Sequence, residues 1–490
     1  MSNGGKWRGG FSPNKMWARA FVGLLLASIF GCSSIDKNVS KSASVFWIPP
    51  KKEEISNRKQ FKNYAIADAG EILNDTHMEL DLPMLLDIAF ENNPATQRSW
   101  QEARIAAARS GKAASIFFPR VVLSGAVSKG EVNAPGAPKN RATTFAPAIE
   151  LQYSLFQFGG HAKSAAAAKE LLYAANYQHN RALQTMAHDV QKHYFALDSA
   201  QSSVEVAQRN LDDAFVTYDS AFIKHHAGLA SLQDFLRAKA NRARAEFELE
   251  NAKSSVEAAR ANLANVIGVR ISDNLQIAHD GDENDIKDFD ANIQSLIEET
   301  LETRQDVLAL HAAIRSSRNA AWVSLSKVAP ELVLSGSGSR MFYKNISGKF
   351  DNFTLGVALQ WTVFDGFYSA YDIAESRAKI KQAEQALRQL KIAVAADVWS
   401  KYHAFKSAIR QLHAARNYQQ SAQESFDSVI VSYENGLSSF SDLMSAQAQL
   451  ATARQQTVVS GNNLSLAVVD LAYSVGVANF EHKSKEYESF

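Results

Sequence analysis

The chain has 490 residues, which is enough for two to four domains of ordinary size. Apolar residues make up 46% of it and charged residues 21%, which excludes global disorder, and 52 basic against 51 acidic residues exclude a strongly basic nucleic-acid-binding protein. Because there is one cysteine, an intrachain disulfide and a zinc site built from cysteines are also excluded.

The amino-terminal segment has the features of a secretory signal peptide. A basic stretch without acids precedes the apolar run Ala20–Phe30, whose 11 residues are too few for a membrane-spanning helix, which needs roughly 20. Gly31-Cys32 resembles a bacterial lipobox, so we expect cleavage after residue 31 and a covalent lipid, palmitate, on Cys32. Ser33 in place of Asp implies delivery to the outer membrane. The alternative is a plain signal peptide with a coincidental cysteine.

The rest of the chain contains one unit twice. Leu123-Ser124-Gly125 recurs 211 residues later, whereas Gly228 recurs as Gly436, 208 residues later. The first copy therefore holds three extra residues, in the stretch that contains the turn-forming loop 133–138. The predicted division is a signal peptide 1–31, a lipid-anchored tether 32–76, a first repeat 77–269, a linker 270–290, a second repeat 291–477 and a tail 478–490.

Each repeat begins with two modest helices followed by two strands. We expect the helices to end before Pro119 and Pro330, because the residue preceding a proline disfavours helical backbone. The second strand of each pair, over 149–155 and 353–363, alternates apolar and polar residues with the period of two that is typical of a strand. The two β-hairpins are predicted over about 119–156 and 330–364.

Very long helices follow the strands. Residues 161–226 and 367–435 contain neither glycine nor proline, and a helix of about 66 residues is a rod of roughly 100 Å. Returning helices are predicted over about 231–266 and 439–475. Rods of this length need lateral partners, which indicates coiled-coil packing rather than a compact globule.

Four strands with one apolar and one polar face cannot close into a barrel alone, and an open edge in lipid leaves backbone groups unpaired. Three chains would supply twelve strands, enough for a water-filled lumen. Glu150, Gln152, Thr354 and Gln360 would then face water. The alternative is a soluble four-stranded sheet packed on its own helices.

The strand-to-helix junctions and the turns between the long helices carry motifs. Phe364-Asp365-Gly366 marks the second junction, and Gln157 stands where the first copy would have the aspartate. Tyr433-Glu434-Asn435-Gly436-Leu437 precedes Ser441-Asp442-Leu443, and Ala227-Gly228-Leu229 is the first-copy counterpart of the turn. Over residues 77–477 the chain resembles the TolC-type outer-membrane efflux family.

This resemblance implies a homotrimer in the outer membrane of a Gram-negative bacterium. A twelve-stranded β-barrel would cross the membrane, and a long α-helical coiled-coil barrel would extend it into the periplasm. A periplasmic adaptor protein and an inner-membrane pump would dock beneath it. The fold class is thus α+β with an internal duplication.

The resemblance also implies how the helix turns are used. The pairs Gly228-Leu229 and Gly436-Leu437 would meet the tip of the adaptor. A glycine in a helix-to-helix turn is also explained by the left-handed backbone that a helix end favours. The docking interpretation and this structural interpretation therefore both stay open.

Asp442 is the candidate gate residue. It follows Gly436 by six residues on the returning helix, and three copies around a narrow axis would form a carboxylate ring that attracts cations. The resemblance identifies it with a gate aspartate of the family. It also suggests that Asp234, the first-copy equivalent, contacts Tyr433 in a closed-state latch. The alternative is a solvated aspartate on a helix face.

We expect no enzyme activity, cofactor or metal site, because no catalytic or phosphate-binding motif stands out in the sequence. The predicted function is a passive exit duct for substrates driven by an inner-membrane pump. Two alternatives remain: a type I protein-secretion duct of the same fold, and a lipid-anchored periplasmic coiled-coil scaffold that spans nothing.

Overall fold

A computed structural model of the chain describes residues 38–49, 79–132, 140–270, 276–277, 292–344 and 349–477. Several predicted segments therefore lie outside the described residues. They are the signal peptide, Cys32, the tether from residue 50 onward, the loop 133–138, most of the linker, and the tail 478–490.

The first repeat consists of a short strand, two short helices, a strand pair and two long helices. In chain order these are β1 (Glu79–Leu80), α1 (Leu82–Asn92), α2 (Pro94–Ala114), β2 (Arg120–Val132), β3 (Asn140–Phe156), α3 (Gly160–His226) and α4 (Leu232–Ile267).

The second repeat follows a short strand, β4 (Gln276–Ile277), that pairs in parallel with β1. Its elements have the same order as those of the first repeat. They are α5 (Ile293–Thr303), α6 (Gln305–Ser326), β5 (Glu331–Tyr343), β6 (Lys349–Gln360), α7 (Tyr368–Glu434) and α8 (Phe440–Ser474).

The four longer strands form one antiparallel sheet in the order β2-β3-β5-β6, which confirms the prediction of four strands per chain. Leu151, Gly336 and Leu355 are directly paired across three adjacent strands, so they lie on one face of the sheet. The last strand ends at Gln360 rather than at the predicted residue 363. Gln360 pairs with Glu331, the first residue of β5, so β5 offers no partner beyond it. The Trp361 indole N–H donates instead to the Val328 carbonyl at 3.0 Å.

The glycine- and proline-free segments are continuous helices. Both α3 and α7 have 67 residues, so each is about 100 Å long. At the start of α7 the Asp365 carboxylate accepts hydrogen bonds from the backbone N–H, at 3.0 Å, and the hydroxyl of Ser369. This bond explains why aspartate suits the second junction. At the first junction α3 has no side-chain cap, and Gly159 precedes it with φ at 79°.

The short helices of each repeat hold the carboxyl end of its returning helix. Between α1 and α2, Asn93 Nδ2 donates to the Val266 carbonyl at 2.6 Å. Between α5 and α6, Arg304 Nη1 donates to the Ser474 carbonyl at 2.8 Å. Gly268, with φ at 77°, passes so close that a Cβ there would lie 3.0 Å from Asn93 Cα. The close approach and the left-handed backbone both require glycine.

Apolar cores lie at two levels along the rods. Each repeat has its own cluster where its short helices meet its long ones, around Val190 and Leu263 in the first copy and Val398 and Leu471 in the second. These pairs are 208 residues apart, so the duplication extends to the core. A third cluster near the turns unites α3, α4, α7 and α8 around Leu443, which is fully buried.

Part of the segment predicted as a tether is packed on the helices. Trp47 is buried, and its ring lies 5.4 Å from that of Tyr173 and 5.3 Å from that of Tyr177. The Asn180 amide exchanges hydrogen bonds with the Trp47 backbone at 2.8 and 2.9 Å. Residues 38–49 are therefore part of the folded body, because an aromatic anchor and a buried amide hold them against α3.

None of the helices within the described ranges is both long enough and apolar enough to cross a membrane.

Candidate functional site

The two turns between the long helices have the same backbone geometry. In the first, the Leu229 N–H donates to the Lys224 carbonyl at 2.8 Å and the Gly228 N–H to the His225 carbonyl at 3.0 Å. The turn at Gly436 repeats both bonds with the same distances. This is the Schellman motif, in which the residue after the helix takes left-handed backbone, and φ is 76° and 77° at the two glycines.

The leucines that follow the two glycines are the most exposed apolar groups of the turns. Leu229 is 77% exposed and Leu437 is 83% exposed. A leucine at this position of a Schellman motif often packs back on its own helix. Here neither does, so each turn presents an apolar side chain and a glycine to solvent at the end of a rod.

A serine and an aspartate cap each returning helix. Ser439 accepts a hydrogen bond from the Asp442 backbone N–H at 3.2 Å, and Asp442 Oδ2 accepts from the Ser439 backbone N–H at 3.1 Å and its hydroxyl at 2.7 Å. This reciprocal pair is a capping box. In the first copy Ser231 accepts from the Asp234 N–H at 3.1 Å, and its hydroxyl donates to the Asp234 carboxylate at 2.8 Å.

The cap fixes the ionisation state of the predicted gate residue. The hydrogen bonds from the hydroxyl and the backbone of Ser439 lower the pKa of Asp442, whose carboxyl is exposed. The carboxylate therefore stays charged to lower pH than an ordinary aspartate. Its position at the start of α8 also suits the partial positive charge of a helix N-terminus.

Tyr433 is brought close to Asp234 but is not hydrogen-bonded to it. Its side chain is buried, and its hydroxyl has no hydrogen-bond partner among the described residues. Burial, with a smaller contribution from the charge of Asp234, raises the pKa of Tyr433. The latch suggested by the resemblance thus stays a prediction, and in this chain the Asp234 carboxylate is bound to Ser231.

Lys224 is the residue at this site that sequence reasoning missed. Its ammonium lies 4.1 Å from the centre of the Tyr433 ring and donates to the Tyr433 carbonyl. The contact joins α3 of the first repeat to α7 of the second. The position equivalent to Lys224 in the second copy is Ser432, so the duplicated pattern held no signal for it.

Arg454 makes a second connection between the repeats, farther from the turns. Its guanidinium donates to the Asp213 carboxylate at 2.6 Å, to Asn210 at 3.1 Å and to Gln423 at 2.9 Å. The side chain is nearly buried, so this charged network joins α3, α7 and α8 in a region that excludes most water.

A third network lies near the middle of the rods. His188 Nε2 lies 2.7 Å from Asp470, and Lys401 Nζ lies 2.6 Å from the other oxygen of the same carboxylate. His188 Nδ1 lies 3.2 Å from Asp189. Burial alone would lower the pKa of His188, but its bonds to the two aspartates raise it to about 9. The bond from His188, with help from Lys401, lowers the pKa of Asp470 to about 2.

Within the described parts of the chain, no three histidine, cysteine or acidic side chains are grouped as a metal site would require. His225 and His226 lie at the first turn. The His225 ring stacks on Phe235 with the centroids 5.5 Å apart, and the planes of the two imidazoles are nearly perpendicular, at 88°. Cys32, the predicted lipidation site, lies outside the described residues.

Comparison with known proteins places this arrangement in a family. The family described as outer membrane efflux protein matches residues 85–269 and 296–477, most of both repeats. Among curated proteins, Protein CyaE of Bordetella pertussis is 24% identical over 401 residues, covering 81% of this chain and 84% of its own length.

Solved structures share the fold. The Campylobacter jejuni CmeC outer membrane channel superposes with a TM-score of 0.72 at 17% identity, covering 91% of this chain and 97% of that one. The outer membrane protein VceC of Vibrio cholerae has the same TM-score of 0.72 and 17% identity, covering 81% and 96%. At such low identity the likeness shows the fold alone.

Proposed function

The chain belongs to the outer membrane efflux protein family, and from this membership we propose that it is the trimeric exit duct of a three-component export system. Proteins of this family are channels of the outer membrane with a periplasmic extension, and they are not enzymes. In the proposed system an inner-membrane pump supplies the energy and a periplasmic adaptor connects pump and duct. Substrates then leave through the lumen without any chemical step in this chain.

The sheet is the observation that carries the proposal of a trimer. Its apolar face is open to solvent, with Phe353 78% exposed, and the backbone edges of β2 and β6 have no neighbouring strand among the described residues. An unpaired edge in lipid costs several kcal/mol for each backbone group. Three copies that join β6 of one to β2 of the next would close a barrel of twelve strands and pair every edge.

The faces of the sheet fit such a barrel. The face toward lipid would carry most of the exposed leucines, valines and phenylalanines of β2, β3 and β6. The opposite face is made mostly of small or polar side chains, which would line a lumen filled with water. Its members in adjacent strands include Ser124, Glu150, Gln152, Ser335, Ser337 and Thr354.

Exposed aromatic side chains gather where the strands meet the helices. Aromatic rings are favoured at the membrane–water interface, so this band supports a membrane boundary at the strand-to-helix junctions. Its most exposed members are Phe118, Trp361, Phe364, Phe367, Tyr368 and Tyr371.

The helix turns would then lie at the periplasmic end, about 100 Å from the membrane boundary. We assign adaptor docking to Gly228-Leu229 and Gly436-Leu437, because they combine an exposed leucine with a glycine that leaves room for a close backbone approach. A covalent lipid on Cys32 would anchor the amino end of the chain in the same membrane.

We assign the closing of the duct to Asp442, Asp234 and Tyr433. In a trimer the exposed and ionised Asp442 carboxylates of three chains would face one another near the axis at the narrow end. A ring of like charges attracts cations and can hold a constriction. The buried Tyr433 hydroxyl, which has no hydrogen-bond partner among the described residues, would donate to Asp234 if the two helix pairs closed together.

The detergent-corrected mass of the protein extracted from outer membranes tests the proposal. We expect the mass of three chains, because only then are all strand edges paired. A stable folded monomer would leave two open edges in lipid and would refute the duct in favour of the anchored scaffold.

A further inference from the structure

Near the turns, the four long helices of the chain pack side by side, and α4 and α7 lie at the two ends of the row. α4 packs on α3, α3 on α8, and α8 on α7, whereas α4 and α7 make no comparable contact with each other. Each of these two outer helices therefore has a face that its own chain does not cover. In a ring of identical copies, such faces on opposite edges meet between neighbours.

The uncovered face of α4 is apolar at the turn and basic above it. Leu232, Leu236, Lys239 and Ala243 follow one another at helical spacing, and all four are exposed. The opposite side of the helix, which includes Ala238, is buried toward its own chain.

The basic character of α4 is strongest in this stretch. Residues 232–245 contain four arginines and lysines and a single acid, Asp234. Arg242 and Arg244 pair with glutamates one turn later on α4. Arg237 and Lys239 have no ion pair within the described part of the chain.

The uncovered face of α7 has the opposite charge. Glu424, Asp427, Val431 and Glu434 follow one another at helical spacing, and all are exposed. Residues 417–434 contain these three acids and no base. The three carboxylates make no ion pair among the described residues, and Glu424 and Asp427 bond only to glutamines of the same helix.

The charged residues of the two faces lie at matching distances from the turns. α3 and α7 are equal in length, so the two turns lie at the same level. Lys239 follows Gly228 by 11 residues, while Asp427 and Glu424 precede Gly436 by 9 and 12 residues. At 1.5 Å per residue, Lys239 lies at a height between the two carboxylates. By the same measure Val431 lies between Leu232 and Leu236.

We propose that the exposed face of α4 near its turn binds the exposed face of α7 of a second copy of this chain. Lys239 would lie between Asp427 and Glu424 of the neighbour, and the two leucines would enclose Val431. The inference rests on the proposed trimer and adds the surface that joins neighbouring chains at the periplasmic end, far from the sheet.

Zero-length carbodiimide cross-linking tests this surface directly, because the reagent joins an amine only to a carboxylate that touches it. Protein co-assembled from chains with light and heavy nitrogen isotopes is cross-linked, digested and analysed by mass spectrometry. We expect a peptide that joins Lys239 to Asp427 or Glu424, with half of its molecules of mixed isotope. If the protein is a trimer but this peptide is missing, or if its two halves always carry the same isotope, the inference is overturned and the proposed duct stays intact. A monomeric protein refutes both.

Charge exchange provides a second, independent test. Asp427→Lys should lower the yield of the remaining link to Glu424 roughly two- to five-fold, the factor for one exposed ion pair. In the double variant Asp427→Lys with Lys239→Glu, a link between positions 239 and 427 should form again, now from the amine at 427 to the carboxylate at 239. Lys253→Glu, farther along α4, is the matched control and should change neither link. Failure of the exchanged pair to cross-link in an intact trimer contradicts the proposed register.

Discussion

Replacing His188 by glutamine tests the ionic network that joins α3, α7 and α8. The imidazole bridges Asp189 and Asp470, so both of its nitrogens must carry a proton and the ring is charged in the folded chain. Glutamine keeps one hydrogen-bond donor near Asp470 but removes the charge. We therefore expect His188→Gln to destabilise the helical body in the pH range in which the native imidazole is charged.

The magnitude follows from the pKa of His188, which is about 9 in the folded chain against an ordinary value of 6.5. At about 1.36 kcal/mol per unit the full difference would be about 3.4 kcal/mol. Because the network is partly open to solvent, screening reduces this to about 1–2 kcal/mol. A raised histidine pKa stabilises the fold fully below pH 6.5, and the contribution disappears as the pH rises through about 9.

The assay is chemical denaturation of the detergent-solubilised protein, followed by helix circular dichroism below pH 6.5 and above pH 9. His188→Gln should lose stability at the lower pH and approach the native protein at the higher one. His193→Gln, on the same helix, is the control, because burial and the charge of Lys192 lower the pKa of His193. A His188→Gln deficit of the same size at both pH values would show that His188 is neutral and would refute the reasoning.

The remaining predictions concern two turns and the gate. Gly268→Ala should destabilise the fold by about 2–3 kcal/mol, because it adds a contact of 3.0 Å with Asn93 to the cost of left-handed backbone. Gly228→Ala, where no atom lies within 4 Å of an added Cβ, should cost only about 1 kcal/mol, and equal losses on denaturation would contradict the close approach. Asp442→Asn keeps an oxygen for the Ser439 cap and removes the charge, so it should weaken cation block of single channels in bilayers while the folded protein persists. Asp219→Asn, at an exposed aspartate of α3, is its control, and unchanged block would remove Asp442 from the gate.

Much of the fold could be predicted because the duplication repeats local signals. Period-two alternation identified the strands, and the lack of glycine and proline over long segments identified α3 and α7. Both signals depend on the residue itself and its near neighbours, and the second copy verified the first. The end of β6 at Gln360 was missed because it depends on where the partner strand β5 begins, at Glu331.

The contacts between the repeats could not be predicted in this way. Arg454, Lys224 and His188 each join helices that are far apart in the chain, and neither copy repeats the partners of the other. From the sequence alone, a charged residue on a helix is interpreted as part of a solvent-exposed face, because the residue that it contacts is not known. The packing of Trp47 on α3 was hidden for the same reason, since its partners follow it by more than a hundred residues.

The capping of α8 by Asp442 bears on the gate role that we propose for this residue. Two of the hydrogen bonds that cap α8 reach Oδ2 of this side chain, from the backbone and the hydroxyl of Ser439. They fix the rotamer and lower the pKa, so the carboxylate is held in one position and stays charged. A ring that binds cations needs both properties, because a mobile or protonated acid would bind them weakly. Capping and gating are therefore compatible in one residue, and the cap supplies the fixed charge that the proposed gate requires.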